Sequence, residues 1–251
     1  MEKISVVIIT LNEERDIGRC LASVKDIADE IVVVDSFSTD ITEEICKEYK
    51  TKFVQHKFEN YISQKNWALN QAENDIILSL DADEELSKEL QLSILEVKKY
   101  FNADGYSMNR LTRIGSKWIK YSGWYPDTKL RLFNRENGKW AGMNPHDEFK
   151  YDQKANISKL NGDLLHHSFY SFDELEKQTE KFAKLGAIAY YEKGKRSTLF
   201  NVIASPSVRF IRDYFFKGGL FHGIMGFRVS FNNTKATYLK YKYLRSLCNN
   251  Q

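Results

Sequence analysis

Over the first hundred positions apolar residues come in short unbroken runs. Ile4-Ser5-Val6-Val7-Ile8-Ile9-Thr10, Ile31-Val32-Val33-Val34 and Ile76-Ile77-Leu78-Ser79-Leu80 are of strand length and almost continuously apolar. That pattern marks strands covered on both faces, as in a parallel sheet between helices. Lys52-Phe53-Val54-Gln55 predicts a shorter strand. Between the runs the apolar spacing changes to three and four. Ile17, Cys20, Leu21 and Val24 share one side of a helix. A second helix is predicted over 41–49, with Asp40 as its N-cap. A third covers 61–73, and a fourth 87–101, where Ser87 is the cap and Leu90, Ile94, Leu95 and Val97 the apolar side. Strand and helix alternating in this way predict a doubly wound, right-handed α/β sheet.

Beyond residue 101 the pattern loosens. Residues 105–111 and 129–133 alternate like strands, and 118–126 between them are rich in aromatics. Gly162-Asp163 predicts a turn, with His166 and His167 in the loop after it. Residues 171–194 predict a helix opened by a capping box, Ser171 with Glu174 three on. In 197–245 phenylalanines interleave with arginines and lysines, and Gly218-Gly219 and Gly223 predict a break into short helices. The chain thus divides into 1–101, 102–194 and a helical extension over 195–251.

Charge sharpens that last boundary. The net +3 hides −6 over residues 1–194 and +9 over 195–251, where Asp213 is the lone acid against ten basic residues. A basic, aromatic stretch on a mildly acidic domain predicts an anionic surface as partner, an in-plane amphipathic helix at a membrane leaflet. No nucleic-acid-reading motif is visible, so nucleic acid is not expected as a partner. Cys20, Cys46 and Cys248 have no metal or redox spacing and fit a reducing compartment. The start, Met1-Glu2-Lys3, runs straight into a strand, so no signal peptide is expected. No apolar run reaches the ~18 residues of a spanning helix.

The chemistry concentrates where apolar runs stop. Ile76 to Leu80 ends in Asp81-Ala82-Asp83, and ligands of open α/β sheets sit beyond the carboxyl ends of strands. Residues two apart in an extended segment point the same way, so the two carboxylates need a cation, most simply a hard divalent metal shared with substrate phosphates. Asp35 ends another apolar strand, where a buried carboxylate needs a ligand or a capping role. No Gly-x-Gly-x-x-Gly or Walker loop is present.

Taken together, Val6-Val7-Ile8-Ile9-Thr10-Leu11-Asn12-Glu13-Glu14, Ile31 to Asp40, Gln64-Lys65-Asn66-Trp67-Ala68 and Leu80-Asp81-Ala82-Asp83-Glu84 resemble a family 2 glycosyltransferase of the GT-A fold. Trp124-Tyr125-Pro126-Asp127, Arg131-Leu132-Phe133, Trp140 and His146-Asp147-Glu148 resemble its lipopolysaccharide core β-1,4-glucosyltransferase branch. The resemblance implies a Rossmann-like, mainly parallel nucleotide-diphospho-sugar transferase sheet, a UDP-sugar donor, a glycan or glycolipid acceptor, and Mn²⁺ or Mg²⁺ as cofactor. It implies that Thr10, Asn12, Glu13, Asp35, Ser36, Lys65, Asp81, Ala82 and Asp83 border the nucleotide sugar. Asp83, with Asp81 and His146, would hold the metal. Trp124, Tyr125 and Arg131 would meet the acceptor.

Inverting transfer needs one base for the acceptor hydroxyl. Relatives mostly show His-Glu where this chain has His146-Asp147-Glu148. Aligning on the histidine makes Asp147 the base; a slip of one makes it Glu148. The enzyme would work at the cytoplasmic face of the inner membrane. A polyprenyl-phosphate glycosyltransferase and a non-catalytic, membrane-tethered binding module are the alternatives. Acids turned from any cavity, or tied to a neighbouring arginine, would undercut the metal-bridged diphosphate.

Overall fold

The structure is a computed structural model and describes residues 1–143 and 146–249, the side chains of Met143 and His146 excepted. The chain forms two compact units, 1–111 with 127–167, and 112–126 with 168–251. This division differs from the one drawn on composition.

The first unit opens with β1 (Ile4–Thr10), α1 (Ile17–Val24), β2 (Glu30–Asp35), α2 (Thr42–Glu48), β3 (Lys52–Gln55), α3 (Tyr61–Leu69) and β4 (Ile76–Asp81). After β5 (Glu84–Leu86) and α4 (Lys88–Lys99), β6 (Gly105–Ile114) leads into the second unit, where β7 (Lys117–Trp118) pairs with its end. The chain returns through β8 (Asp127–Asn134), β9 (Gly138–Met143), β10 (His146–Tyr151) and β11 (Ile157–Phe169). The sheet runs β3-β2-β1-β4-β8-β6-β11-β5, with β9 and β10 as a separate hairpin. The first four strands are parallel, as the apolar runs predict, and β8 closes against β4 antiparallel.

Successive residues of the central strands feed opposite cores, because strand side chains alternate. Val6, Ile8, Leu78 and Leu80 pack on one face with Leu21 of α1 and Leu90 and Ile94 of α4. Val7, Val32 and Ile77 pack on the other with Ala68 and Leu69 of α3, Trp140 and Phe149. Each such buried aliphatic contributes about 1.5–3 kcal/mol. Register then sets the functional edge. Thr10 pairs with Asp35, Ile9 with Asp81 and Asp35 with Gln55, so the carboxyl ends of four strands fall level.

Helix caps follow the sequence at Ser87, which accepts from Leu90 N–H, and at Ser171, which accepts from Glu174 N–H. At α2 the N-cap is Ile41 rather than Asp40, which stands one residue earlier and accepts from Thr42 N–H. α3 ends at Leu69, four residues short of its predicted end. The Gly162-Asp163 turn is not there: β11 is one strand of 13 residues. Gly162 adopts φ +89°, and β11 passes so close to α4 there that a Cβ would stand 2.3 Å from Leu90 N. The glycine serves a close approach, not a reversal.

The second unit holds α5 (Phe172–Glu192), α6 (Leu199–Ile211) and α7 (Gly223–Asn249), with a π-helical turn at Arg212–Phe216 and a 3₁₀ turn at Gly219–His222. α7 is continuous over 27 residues, so the predicted run of short helices ends at Gly223. Val229 of α7 shares a core with Ile114, Ile119, Tyr121, Phe169 and Leu175. Residues 195–249 thus fall in one compact unit with 112–126 and 168–194.

Candidate active site

The level strand ends gather the acids of the first unit. Asp81 closes β4 with both carboxylate oxygens engaged: Oδ1 lies 3.0 Å from Lys65 Nζ and Oδ2 accepts from Arg131 Nη2 at 2.8 Å. Burial opposes its ionisation, but Lys65 and Arg131 prevail and hold it well below the usual carboxylate range. Arg131 also donates to Glu84 at 2.7 Å, and Glu84 is fully buried. Burial disfavours the charged guanidinium; Glu84 and Asp81 more than offset that and raise its pKa. Arg110 continues the network from Glu84 to Asp127. Buried charges persist only when paired this way.

These contacts correct the sequence assignment. Asp81 is tied to an arginine, and Arg131, expected at the acceptor, is committed to the acids. Asp83 is different: its Oδ2 lies 3.1 Å from His166 Nε2, and it has no arginine contact among the described residues. Burial works against its charge, yet His166 holds its pKa down overall. Asp81 and Asp83 are both partly open to solvent. A cavity of about 470 Å³ beside Leu92, Tyr106 and Lys159 lies elsewhere in this unit.

Lys65 is not a solvated helix lysine. It is buried, its Nζ lies 4.6 Å from the Trp140 ring centroid, and it donates to Asp147 Oδ2 at 2.9 Å. α3 is fixed there because Asn66 exchanges two hydrogen bonds with the Trp140 backbone, each 2.9 Å. Asp147 and Glu148 are neighbours on β10 and so point to opposite sides. Asp147 faces Lys65, whereas Glu148 is exposed and pairs with Lys150 at 3.0 Å. The side chain of His146, assigned to base and metal, lies outside the described residues.

On β1 and β2, Thr10 Oγ1 is buried and accepts or donates no hydrogen bond among the described residues. Asn12 adopts φ +54° and locks the two loops together: its N–H donates to Ser38 Oγ and its Oδ1 accepts from Thr39 N–H, both at 2.8 Å. Asp35 is satisfied within its own turn, accepting from the Ser38 N–H at 2.8 Å and hydroxyl at 2.5 Å. The capping role thus accounts for its burial without a ligand. Ser36 Oγ accepts from Gln64, and Ala82 is buried. Burial first, then Asp83, Asp16, Asp40 and Asp81, push Glu13 up to about 8.

Sequence reasoning missed three residues. Tyr61, at the start of α3, has its pKa raised by burial and then by the charges of Asp81, Asp147, Asp83 and Glu13. Phe37 is exposed at φ +64°, an outlier for a bulky residue. Glu84 enters the sequence motif with no role of its own; its full burial and its contacts with Arg131 and Arg110 make it the centre of the ion network. Trp124 and Tyr125 belong to the second unit. Trp124 Nε1 donates to Asn233 Oδ1 at 3.0 Å, and Lys120 lies over the Tyr125 ring. Ile119 and Tyr121 of the aromatic-rich segment 118–126 are core residues there.

The family model described as glycosyl transferase family 2 matches residues 5–154. A Rickettsia typhi protein described as an uncharacterized glycosyltransferase is 32% identical, covering 98% of this chain and 88% of its own length. The lipopolysaccharide core biosynthesis glycosyltransferase LpsC of Rhizobium meliloti is 30% identical over 89% of this chain and 85% of its own. Among solved structures, S. aureus TarS 1–349 is 17% identical, covers 99% of this chain and 92% of its own, and has a TM-score of 0.48.

Proposed function

The chain belongs to glycosyl transferase family 2 and has the GT-A fold, and from that premise we propose that it moves a sugar, glucose or a close relative, from a UDP-sugar to an envelope glycan such as lipopolysaccharide core. The acceptor would be presented at the cytoplasmic face of the inner membrane. One observation carries this reading: Lys65 binds Asp147 and Asp81 at once, at 2.9 and 3.0 Å. A candidate base and the strand-end acids thereby converge on one side chain.

The donor lies along the ends of β1, β2 and β4. Thr10 closes β1 at that edge. Asn12, Glu13 and the Asp35–Ser36 turn border it. The acceptor hydroxyl attacks the anomeric carbon, the bond to the diphosphate oxygen breaks, and the hydroxyl proton passes to Asp147. Lys65 orients that carboxylate, and holding both substrates in line supplies much of the rate.

A divalent ion fits the donor set. Asp83 and His166 offer one carboxylate and one imidazole, and no cluster of three such ligands occurs among the described residues. Two protein ligands suffice when substrate phosphates complete the shell. Mn²⁺ or Mg²⁺ bound there supplies positive charge against the departing diphosphate.

The test is a thermal-shift and turnover panel of UDP-sugars with and without Mn²⁺. Stabilisation by UDP together with metal-stimulated UDP release supports the reading. No response to any nucleotide sugar overturns it in favour of a binding module of another kind. The Lys65–Asp147 contact also admits transfer to a polyprenyl phosphate, whose anionic acceptor needs no base; full activity of both Asp147→Asn and Glu148→Gln would select that reading.

A further inference from the structure

Around the turns that join α6 to α7, the second unit places polar groups inside and aromatic rings outside. Asp213 is fully buried, accepting from Arg209 Nε at 2.5 Å, Arg212 Nε at 2.9 Å and Asn233 Nδ2 at 2.9 Å. Gly219 packs so tightly that a Cβ would meet Ser230 Oγ at 2.7 Å and Ser122 Oγ at 2.9 Å. Gly226 in turn packs on the Gly219 carbonyl, where a Cβ would come within 1.9 Å. The same stretch turns Phe216, Phe221 and Ile224 outward, 81%, 82% and 75% exposed. Gly218 and Gly223, at φ +76° and +56°, let the backbone make the reversals this requires.

This arrangement is the reverse of what water selects, since burying polar groups costs free energy and exposing rings forfeits transfer free energy. It becomes favourable when the medium outside is itself apolar. Beside these exposed side chains, four further rings of the stretch are in mutual contact. Phe210 stacks on Tyr214 with centroids 5.3 Å apart, both meet Phe227, and Phe227 stacks on Phe231 at 6.0 Å. Phe200 on α6 is also 76% exposed.

Charge selects the occupant. Residues 195–251 carry ten Lys and Arg and a single acid, Asp213, which is buried. Lys217 and Arg228 belong to this stretch, the Arg228 guanidinium 4.0 Å from the Phe172 ring centroid, while Lys235 lies 3.8 Å from Glu176 of α5. A bilayer of anionic phospholipid meets both demands: acyl chains take the rings and headgroups take the cations. Among the described residues no helix is long and apolar enough to cross a membrane, so the contact lies in the plane of the leaflet. We propose that this face docks on anionic phospholipid, with Phe216, Phe221 and Ile224 entering the acyl boundary. The inference deepens the proposed function and rests on its reading of a membrane-borne acceptor.

The full chain is sedimented with vesicles of phosphatidylglycerol and phosphatidylcholine in equal amounts, and with phosphatidylcholine alone. Binding is expected to the mixed vesicles and to fall with salt. The double variant Phe216→Ser/Phe221→Ser should bind them roughly tenfold or more weakly, by the loss of two inserted rings. Its UDP-dependent thermal shift should equal that of the parent. Failure of the parent to bind anionic vesicles, or unchanged binding by the double variant, overturns the docking face while UDP binding still stands. Self-association abolished by the same double variant would assign the face to a second copy and overturn it too. Vesicle binding without any response to UDP would leave the docking face and remove the donor reading instead.

Discussion

Lys65 Nζ lies 2.9 Å from the Asp147 carboxylate, although 82 residues separate them in the chain. One buried cation thereby connects α3 to β10 and serves Asp81 as well. Removing it leaves Asp147 facing a half-buried site without its partner. Lys65→Met should destabilise the fold by about 1–3 kcal/mol, since Asp81 retains Arg131. Turnover should fall at least tenfold with Asp147 no longer oriented. Urea unfolding and UDP-release assays check both; an unaltered turnover would remove Lys65 from the mechanism.

The two acids of β10 separate cleanly by face. Asp147→Asn should lower the turnover rate by roughly 10²–10⁴-fold, the usual contribution of a positioned base. Glu148→Gln should stay within about twofold, because its exposed pair with Lys150 contributes little. Reversal of that order would move the base to Glu148.

Asp83 and His166 form the candidate metal pair. Asp83→Asn should abolish UDP-sugar turnover with an unchanged circular dichroism spectrum. His166→Gln should weaken the apparent affinity for Mn²⁺ by about 10–100-fold while leaving the UDP interaction measurable. Metal-stimulated turnover surviving in Asp83→Asn would refute the ligand.

Glu13 supplies a pH signature. Its pKa rises from 4.5 to about 8 on folding, through burial and then the neighbouring acids Asp83, Asp16, Asp40 and Asp81. Between those values the native state keeps a proton that the unfolded chain releases. Stability therefore falls as pH rises through this window, the opposite of a salt-bridged carboxylate. Glu13→Gln should flatten the decline between about pH 5 and about pH 8.5 in urea midpoints. An equally steep decline in the variant would assign it to other groups.

Much of this was legible before folding. The runs at Ile4, Ile31 and Ile76 determined parallel strands, because only strands covered on both faces need continuous apolar sequence. Family resemblance then pointed to the acids at their ends. The reach of β11 was not legible, since Gly162 marks equally a turn or a close approach. Glu84 was not legible either, since an acid in an acidic loop reads as solvated until its burial is seen.

Local periodicity and strand-end chemistry, which depend on neighbours in the chain, are thus properties of the sequence alone. Which carboxylate is spent on which cation depends on residues far apart in sequence and a few ångströms apart in space. Only the tertiary structure could decide that Asp81 belongs to Lys65 and Arg131, that Asp83 faces His166, and that Asp147 rather than Glu148 turns inward. The physical reason is that ion pairing acts over short distances that the register of strands and the packing of α3 set, and no pattern along the chain encodes them.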